Sequence, residues 1–357
     1  MKNLSLALCF FFFAGGQLTA ESYLWTGAAD TNWNNTANWS PSGVPNGNSD
    51  ISQFGDFGES PLTVGISGSS PRSYMYFGDL SVTSAAQADL TFNAPNDSVV
   101  NNITLASGGG YSTVMLTGSN RLRQSSLSMT YDIGLGKRLV TTQSFTSTGG
   151  NAREIDKIGG GTFDFQGDSI GIAWGDNDNR SSSISISEGT MAFHEGVGQT
   201  VSYVSSATAG RQPTLTIGSQ GTLVMDVGTG GDLIEYVRAT GLATTEAYSL
   251  DWLVVEEGAS LDLNPIAGFS EDNWYSLFRN LSSAPEHEFD VIGLEPGQTA
   301  SFRLNEYDPG LYDYQVMVTS IPESSQISFI FGGMVLMMTG LRRSFSLRRA
   351  KSERSHR

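Results

Sequence analysis

The chain has 357 residues and a formal net charge of −16, from 20 Lys or Arg against 36 Asp or Glu. Between Glu21 and Ser320 the imbalance grows to 12 basic against 34 acidic residues, a balance of −22 that repels phosphate backbones and anionic lipid surfaces and argues against nucleic-acid binding. The only cysteine, Cys9, lies in the N-terminal apolar run, so the chain beyond that run forms no internal disulfide and has no thiolate metal site; 42 glycines against 11 prolines suit turns between many short strands.

The first predicted element is a secretory signal. Lys2 opens a positive region, Leu4 to Ala14 form an almost unbroken apolar run, and Gly15 to Ala20 supply small residues before Glu21. The run is about 11 residues, well below the roughly 20 that cross a bilayer as a permanent helix, so cleavage is expected, with the cut placed between Ala20 and Glu21. A buried core helix would alternate polar and apolar positions, which Phe10 to Phe13 do not.

Next comes a segment with Trp25, Trp33 and Trp39, followed by Pro41, Pro45, Asp50 and Phe54. Large aromatics cover the unpartnered apolar face of a terminal coil, so residues 21–58 read as an N-terminal cap; the alternative is a platform on which sugars stack.

From residue 59 to 320 the apolar period is two rather than 3.6. One pattern repeats: an alternating strand, a glycine, a small residue, then a second alternating strand. It runs through Ile184, Ile186, Gly189, Thr190, Met191 and Phe193, and again through Leu215, Ile217, Gly221, Thr222, Leu223 and Met225. A looser copy uses Leu253, Val255, Gly258, Leu261 and Leu263, and Gly160, Gly161, Thr162, Phe163 and Phe165 give the second half alone. Such units bury one stripe each and gain a common core by stacking, which predicts an all-β chain folded as a parallel β-solenoid. A β-sandwich of hairpins is the alternative, but it favours Asn-Gly and Asp-Gly turns, and Asn46-Gly47 is the only such dipeptide.

The Trp25-Thr26-Gly27 start, Asn38-Trp39 followed by Pro41 and Asp50, and the Gly160-Gly161-Thr162-Phe163 strand resemble exported proteins with autotransporter-associated β-strand repeats. That resemblance implies a right-handed β-helix displayed outside the cell, with no enzymatic activity inherited. Nothing after Gly258 supplies the many lipid-facing strands of an outer-membrane pore.

Candidates for chemistry are sparse. His194, His287 and His356 lack the spacing of a zinc helix. Asp176 and Asp178, in an Asp-Asn-Asp-Asn run, are weak calcium candidates without the spacing of an EF-hand; a solvated turn is the plainer reading. Glu256 and Glu257 are adjacent and would face opposite ways on a strand, so neither they nor Glu257 with Asp262 make a convincing acid/base pair.

After a last strand expected at Tyr312 to Thr319, the chain reads Ile321-Pro322-Glu323-Ser324, an apolar run from Ile327 to Leu341, then Arg342-Arg343 and a basic tail to Arg357. As a helix the run would rise about 22 Å, a marginal span for a hydrocarbon core of about 30 Å, and trailing arginines favour the cytoplasmic side. The order is similar to a PEP-CTERM sorting domain, although Ser324 stands where that motif has its second proline. The resemblance implies recognition of Pro322 and Glu323 by a membrane-embedded exosortase and transfer to the envelope or matrix.

The sequence therefore reads as signal peptide 1–20, cap 21–58, solenoid 59–320 and sorting tail 321–357, with the span at 327–341 and the basic tail at 342–357. The expected function is that of a non-enzymatic surface or matrix protein, structural or adhesive, without a cofactor, whose partners are the sorting enzyme and extracellular polysaccharide. A secreted polysaccharide-degrading enzyme, or a carbohydrate-binding module, on the same scaffold is the alternative.

Overall fold

The computed structural model describes residues 20–320 apart from 48, 67–74, 119–120, 125–127, 147–153, 167–169, 174–182, 194–199, 206–213 and 239–251. Both terminal apolar runs lie outside the described residues, as does the C-terminal helix expected at 327–341. The described chain is all-β, with one 3-10 turn at Thr36–Asn38 and no α-helix, and it folds as a β-solenoid. No described helix is long and apolar enough to cross a membrane. Two compact units divide at Phe163 and Asp164.

The first unit holds β1 (Ser22–Trp25), β2 (Trp39–Ser40), β3 (Ile51–Phe54), β4 (Leu62–Gly65), β5 (Met75–Val82), β6 (Leu90–Ala94) and β7 (Ser98–Leu105). It continues with β8 (Thr113–Gly118), β9 (Arg121–Gln124), β10 (Ser128–Ile133), β11 (Arg138–Thr141), β12 (Ser144–Thr146) and β13 (Glu154–Ile158). Parallel pairing makes three ladders. One runs β1, β3, β5, β7, β10, β13 and aligns Phe54, Val82, Leu105 and Ile133. The second runs β4, β6, β8, β11 and aligns Val64, Phe92, Leu116 and Thr141, while the third joins β5, β7, β9 and β12. All eight aligned residues named are buried, so each of the first two ladders turns a row of side chains into a shared core.

Polar residues bind one coil to the next. Asp79 Oδ1 accepts from the backbone N–H and Nδ2 of Asn102, 23 residues on, at 3.2 and 3.0 Å. Asn102 Oδ1 in turn accepts from the N–H of Thr130, 28 residues further, at 2.9 Å.

β14 (Thr162–Phe165) crosses the division, and the second unit continues with β15 (Ile170–Ala173), β16 (Ser183–Phe193), β17 (Thr200–Ser205), β18 (Thr214–Val227), β19 (Leu233–Arg238), β20 (Leu253–Val255) and β21 (Ser260–Pro265). The repeats read from the sequence are register partners here. Ile184 pairs with Leu215, Ile186 with Ile217, Gly189 with Gly221 and Met191 with Leu223. The next coil continues both rows, Leu215 with Leu253 and Ile217 with Val255, then Leu223 with Leu261 and Met225 with Leu263. Between Ile186 and Glu188 the register slips, because β18 carries Gly218 and Ser219 where β16 has only Ser187.

The solenoid rule does not extend to Ser320 as the sequence reading expected. β22 (Trp274–Leu281) still pairs parallel with β19, and β23 (Asp290–Ile292) with β21. β25 (Leu311–Ser320), however, runs antiparallel to β22, and β24 (Gln298–Asp308) antiparallel to β25. The turn at Pro309-Gly310, with Gly310 at φ +74°, reverses the chain after β24. On the core side Tyr314 stacks on Phe302, centroids 5.2 Å apart, and lies 6.4 Å from Phe278.

Candidate functional site

The three N-terminal tryptophans form one cluster in the first unit. Trp39 meets Trp25 and Trp33 edge-on, with centroids 4.9 and 4.7 Å apart, and its Nε1 donates to the Trp33 carbonyl at 3.0 Å. Trp33 continues into Phe77, and Trp25 stacks on Phe54. Exposures of 2, 1 and 3% for Trp25, Trp33 and Trp39 leave no ring face on which a sugar could stack, so the alternative sugar platform is not formed by these residues.

A polar knot holds the loop that carries them. Asn38, fully buried, accepts from the N–H groups of Ala29 and Asp30 at 2.9 and 3.0 Å through Oδ1. Its Nδ2 donates to Asp30 Oδ1 and to the Asn32 carbonyl at 2.7 and 3.0 Å. Hydrogen bonds from the Asn32 N–H and the Asn35 and Asn38 side chains hold the Asp30 carboxyl below its usual pKa.

Ala20 and Glu21 are exposed, and Glu21 accepts from the Tyr23 hydroxyl at 2.8 Å. That bond, with some burial and the charges of Glu21 and Asp50, pushes the Tyr23 phenol up to about 12. Pro322, Glu323, Arg342, Arg343, Asp176, Asp178, His194 and His356 lie outside the described residues. His287 is half-buried in the loop before β23. Glu256 and Glu257 sit in the exposed turn after β20, where Glu256 Oε2 accepts from the Ser219 N–H of the preceding coil at 3.1 Å. Its role there is to join two coils. Among the described residues no three His, Cys, Asp or Glu side chains group closely enough to hold a metal ion.

Described residues of the second unit line two hollows. One, of about 440 Å³, is lined by Phe269, Glu271, Leu294, Glu295 and Gln298 among others. Gln298 spans it, donating to Glu271 Oε1 at 2.7 Å and accepting from the Glu295 N–H at 2.9 Å. Bonds from Ser320 and Gln298 hold the Glu271 carboxyl below its ordinary pKa. The other, of about 60 Å³, is lined by Asp226 and Asp232. Asp232 Oδ2 accepts from the Asp226 N–H at 2.7 Å, and Asn264 Nδ2 from the next coil donates to Asp226 Oδ1 at 2.6 Å. Both carboxylates are therefore engaged in holding the turn after β18.

The most developed polar surface is the outer face of the sheet β22–β25–β24. Tyr314, Val316 and Val318 fill the core side, so alternation turns Asp313, Gln315 and Met317 outward. The register sets Ser276, Gln315 and Arg303 side by side across the three strands. Arg303 Nε donates to Gln315 Oε1 at 2.9 Å, Gln315 Nε2 to Ser276 Oγ at 3.0 Å, and Ser276 Oγ to Asp313 Oδ2 at 2.9 Å. Arg279 completes the chain, with Nε and Nη2 on Asp313 at 3.1 and 3.3 Å. The Arg303 guanidinium lies 4.0 Å from the centre of the Trp274 ring, and that of Arg279 lies 5.3 Å from the centre of the Tyr307 ring. Sequence reading missed this face. Its members are spread from 274 to 315, and the only local signal was alternation of large polar residues along Ser301, Arg303 and Asn305.

The fold and these surfaces define a β-solenoid protein with a tryptophan-packed first coil and an antiparallel last sheet. Comparison with protein-family models, with curated proteins and with solved structures finds no match to this chain.

Proposed function

We propose that this chain is a non-enzymatic exported protein of the cell surface or extracellular matrix, with a structural or adhesive role. One observation carries the reading: acidic and amide side chains of the body are engaged between neighbouring coils. Asp79 with Asn102, Asp89 with Ser112 and Thr113, Asp226 with Asn264, and Glu256 with Ser219 all act as ties. Carboxylates so committed serve rigidity, and a rigid stacked scaffold suits display. The signal-like N-terminus and the C-terminal segment resembling a PEP-CTERM sorting domain supply the route: export, retention through 327–341, and transfer by an exosortase-type enzyme near Pro322 and Glu323.

Mass spectrometry of both termini, on protein from fractionated native cells, tests this. The expected form starts at or near Glu21, resides in the envelope or medium, and has lost or membrane-embedded its C-terminal segment. Full-length polypeptide dissolved in the cytosol would overturn the assignment, and release of reducing sugar from a polysaccharide panel would overturn its non-enzymatic part.

A further inference from the structure

The two arginines of the outer C-terminal face are in different electrostatic situations. Arg279 is neutralised by the buried Asp313 carboxylate. Arg303 has no acidic partner among the described residues: its Nε is taken by the neutral Gln315 amide and its charge rests on the Trp274 ring, while neither Nη group donates to a protein acceptor. An arginine held at two points, exposed, with its outer donors uncommitted is a preorganised fork for a carboxylate. It is notable in a body whose charge balance is −22.

Tyr307 adds ring surface on the same side, since its contact with Arg279 places it over the Asp313 row. Its side chain is among the few large apolar groups exposed in the described chain, at 44%. It lies four positions after Arg303 on β24, about 13 Å in extended chain, the span of a short oligosaccharide. Aromatic rings offer flat apolar surface to the C–H faces of sugars, and the amides and hydroxyls beneath are already paired, so the layer is rigid before any ligand arrives.

We infer that the outer face of β22–β25–β24 binds a carboxylate-bearing polysaccharide, with a uronate carboxyl on Arg303 and a sugar ring against Tyr307. The inference deepens the adhesive reading and rests on it for its setting. The charge of the surrounding body opposes a polyanion at long range, but beyond about 10 Å that repulsion is screened at 0.1 M salt, where the local fork decides.

The test is titration of the full-length protein, in mild detergent, with oligogalacturonate and with its neutral methyl ester, read by calorimetry and by tryptophan fluorescence. The acid form is expected to bind, and Arg303→Gln to weaken it about tenfold or more, the loss of a charged hydrogen-bond pair. Arg303→Lys should recover only part, because a lysine lacks the fork. Trp274 is the tryptophan on this face, while Trp25, Trp33, Trp39 and Trp252 are buried, so the fluorescence change should shrink in Trp274→Phe, and calorimetric affinity should fall less there than in Arg303→Gln because the phenyl ring and the Gln315 bond still hold the guanidinium. Equal binding of the ester, indifference to Arg303→Gln in a variant of unchanged circular dichroism, or no binding at all overturns the inference. So does an Arg303-dependent dimer by sedimentation, which would assign the face to a second copy. None of these results touches the cellular location, which the terminal mass spectrometry reads separately.

Discussion

The ammonium of Lys137 lies 4.0 Å from the centre of the Tyr111 ring and donates to the Tyr111 main-chain carbonyl. A lysine buried to this degree loses hydration, and the ring and carbonyl return only part of it. Lys137→Met keeps the stem and discards the charge, so urea unfolding should show it within about 1 kcal/mol of the parent or more stable. Lys137→Ala loses the packing as well and should cost about 2 kcal/mol or more.

The same residues set the pH dependence. Burial lowers the Lys137 pKa although Asp89 opposes it, so in alkaline solution the unfolded chain binds more protons. Stability should therefore rise with pH as the folded ammonium discharges, up to the ordinary lysine range near 10.5, and Lys137→Met should remove that rise. Burial raises the Tyr111 and Tyr314 phenols, so above pH 10 the unfolded chain loses their protons first and stability should fall.

Asp89 contributes on the acid side. Burial alone would raise its pKa, but the N–H groups of Ser112 and Thr113, the Ser112 hydroxyl and the Lys137 charge bring it below 3.8. Its contribution is present above that value and lost as pH falls through the depressed one. Asp89→Asn should accordingly flatten the acid limb of a stability–pH curve measured by denaturant titration, while lowering stability at neutral pH.

Two glycines give a contrast in steric cause. At Gly221 a Cβ would fall 2.2 Å from the Ile186 carbonyl oxygen of the previous coil, so Gly221→Ala must displace backbone within a ladder. At Gly136, with φ +76°, a Cβ would meet nothing within 4 Å, and only the left-handed backbone opposes a side chain. Thermal or urea melts should show Gly136→Ala costing about 1 kcal/mol and Gly221→Ala clearly more, about 3 kcal/mol. Equal costs would mean the coils are not in close contact at Gly221.

Asn38 is the tie whose loss should be felt at the first coil. Asn38→Ala leaves the Ala29 and Asp30 amides without their acceptor and should cost about 2 to 4 kcal/mol. Asn38→Asp keeps the acceptor but sets a carboxylate against Asp30, and should be as damaging at neutral pH and milder in acid.

How much was legible varies along the chain. Ile184, Leu215 and Leu253 announce their stacking because the second unit repeats one strand–glycine–strand phrase, and the register follows it residue by residue. The first unit hides the same rule. Its inward row Ser52, Leu80, Ile103, Tyr131 and Lys157 mixes hydroxyl, phenol and ammonium with aliphatic groups, all buried where an apolar alternation would be sought. Of the final sheet the sequence shows only the strand at Tyr312 to Thr319, and not its direction, since alternation is the same for either direction. Arg303 and Trp274 belong together only because the turn at Pro309-Gly310 folds β24 back along β25, a long-range consequence no local pattern contains.

That reversal has a consequence for growth. Every parallel rung offers its free edge as a guide for another running the same way, and nothing within such a stack says when to stop. β25, laid head-to-tail against β22, withdraws that guide from the ladder that β22 ends, whatever number of turns precedes Trp274. Duplication or loss of a repeat upstream would thus alter reach while leaving the terminus, and the arginine face it carries, intact.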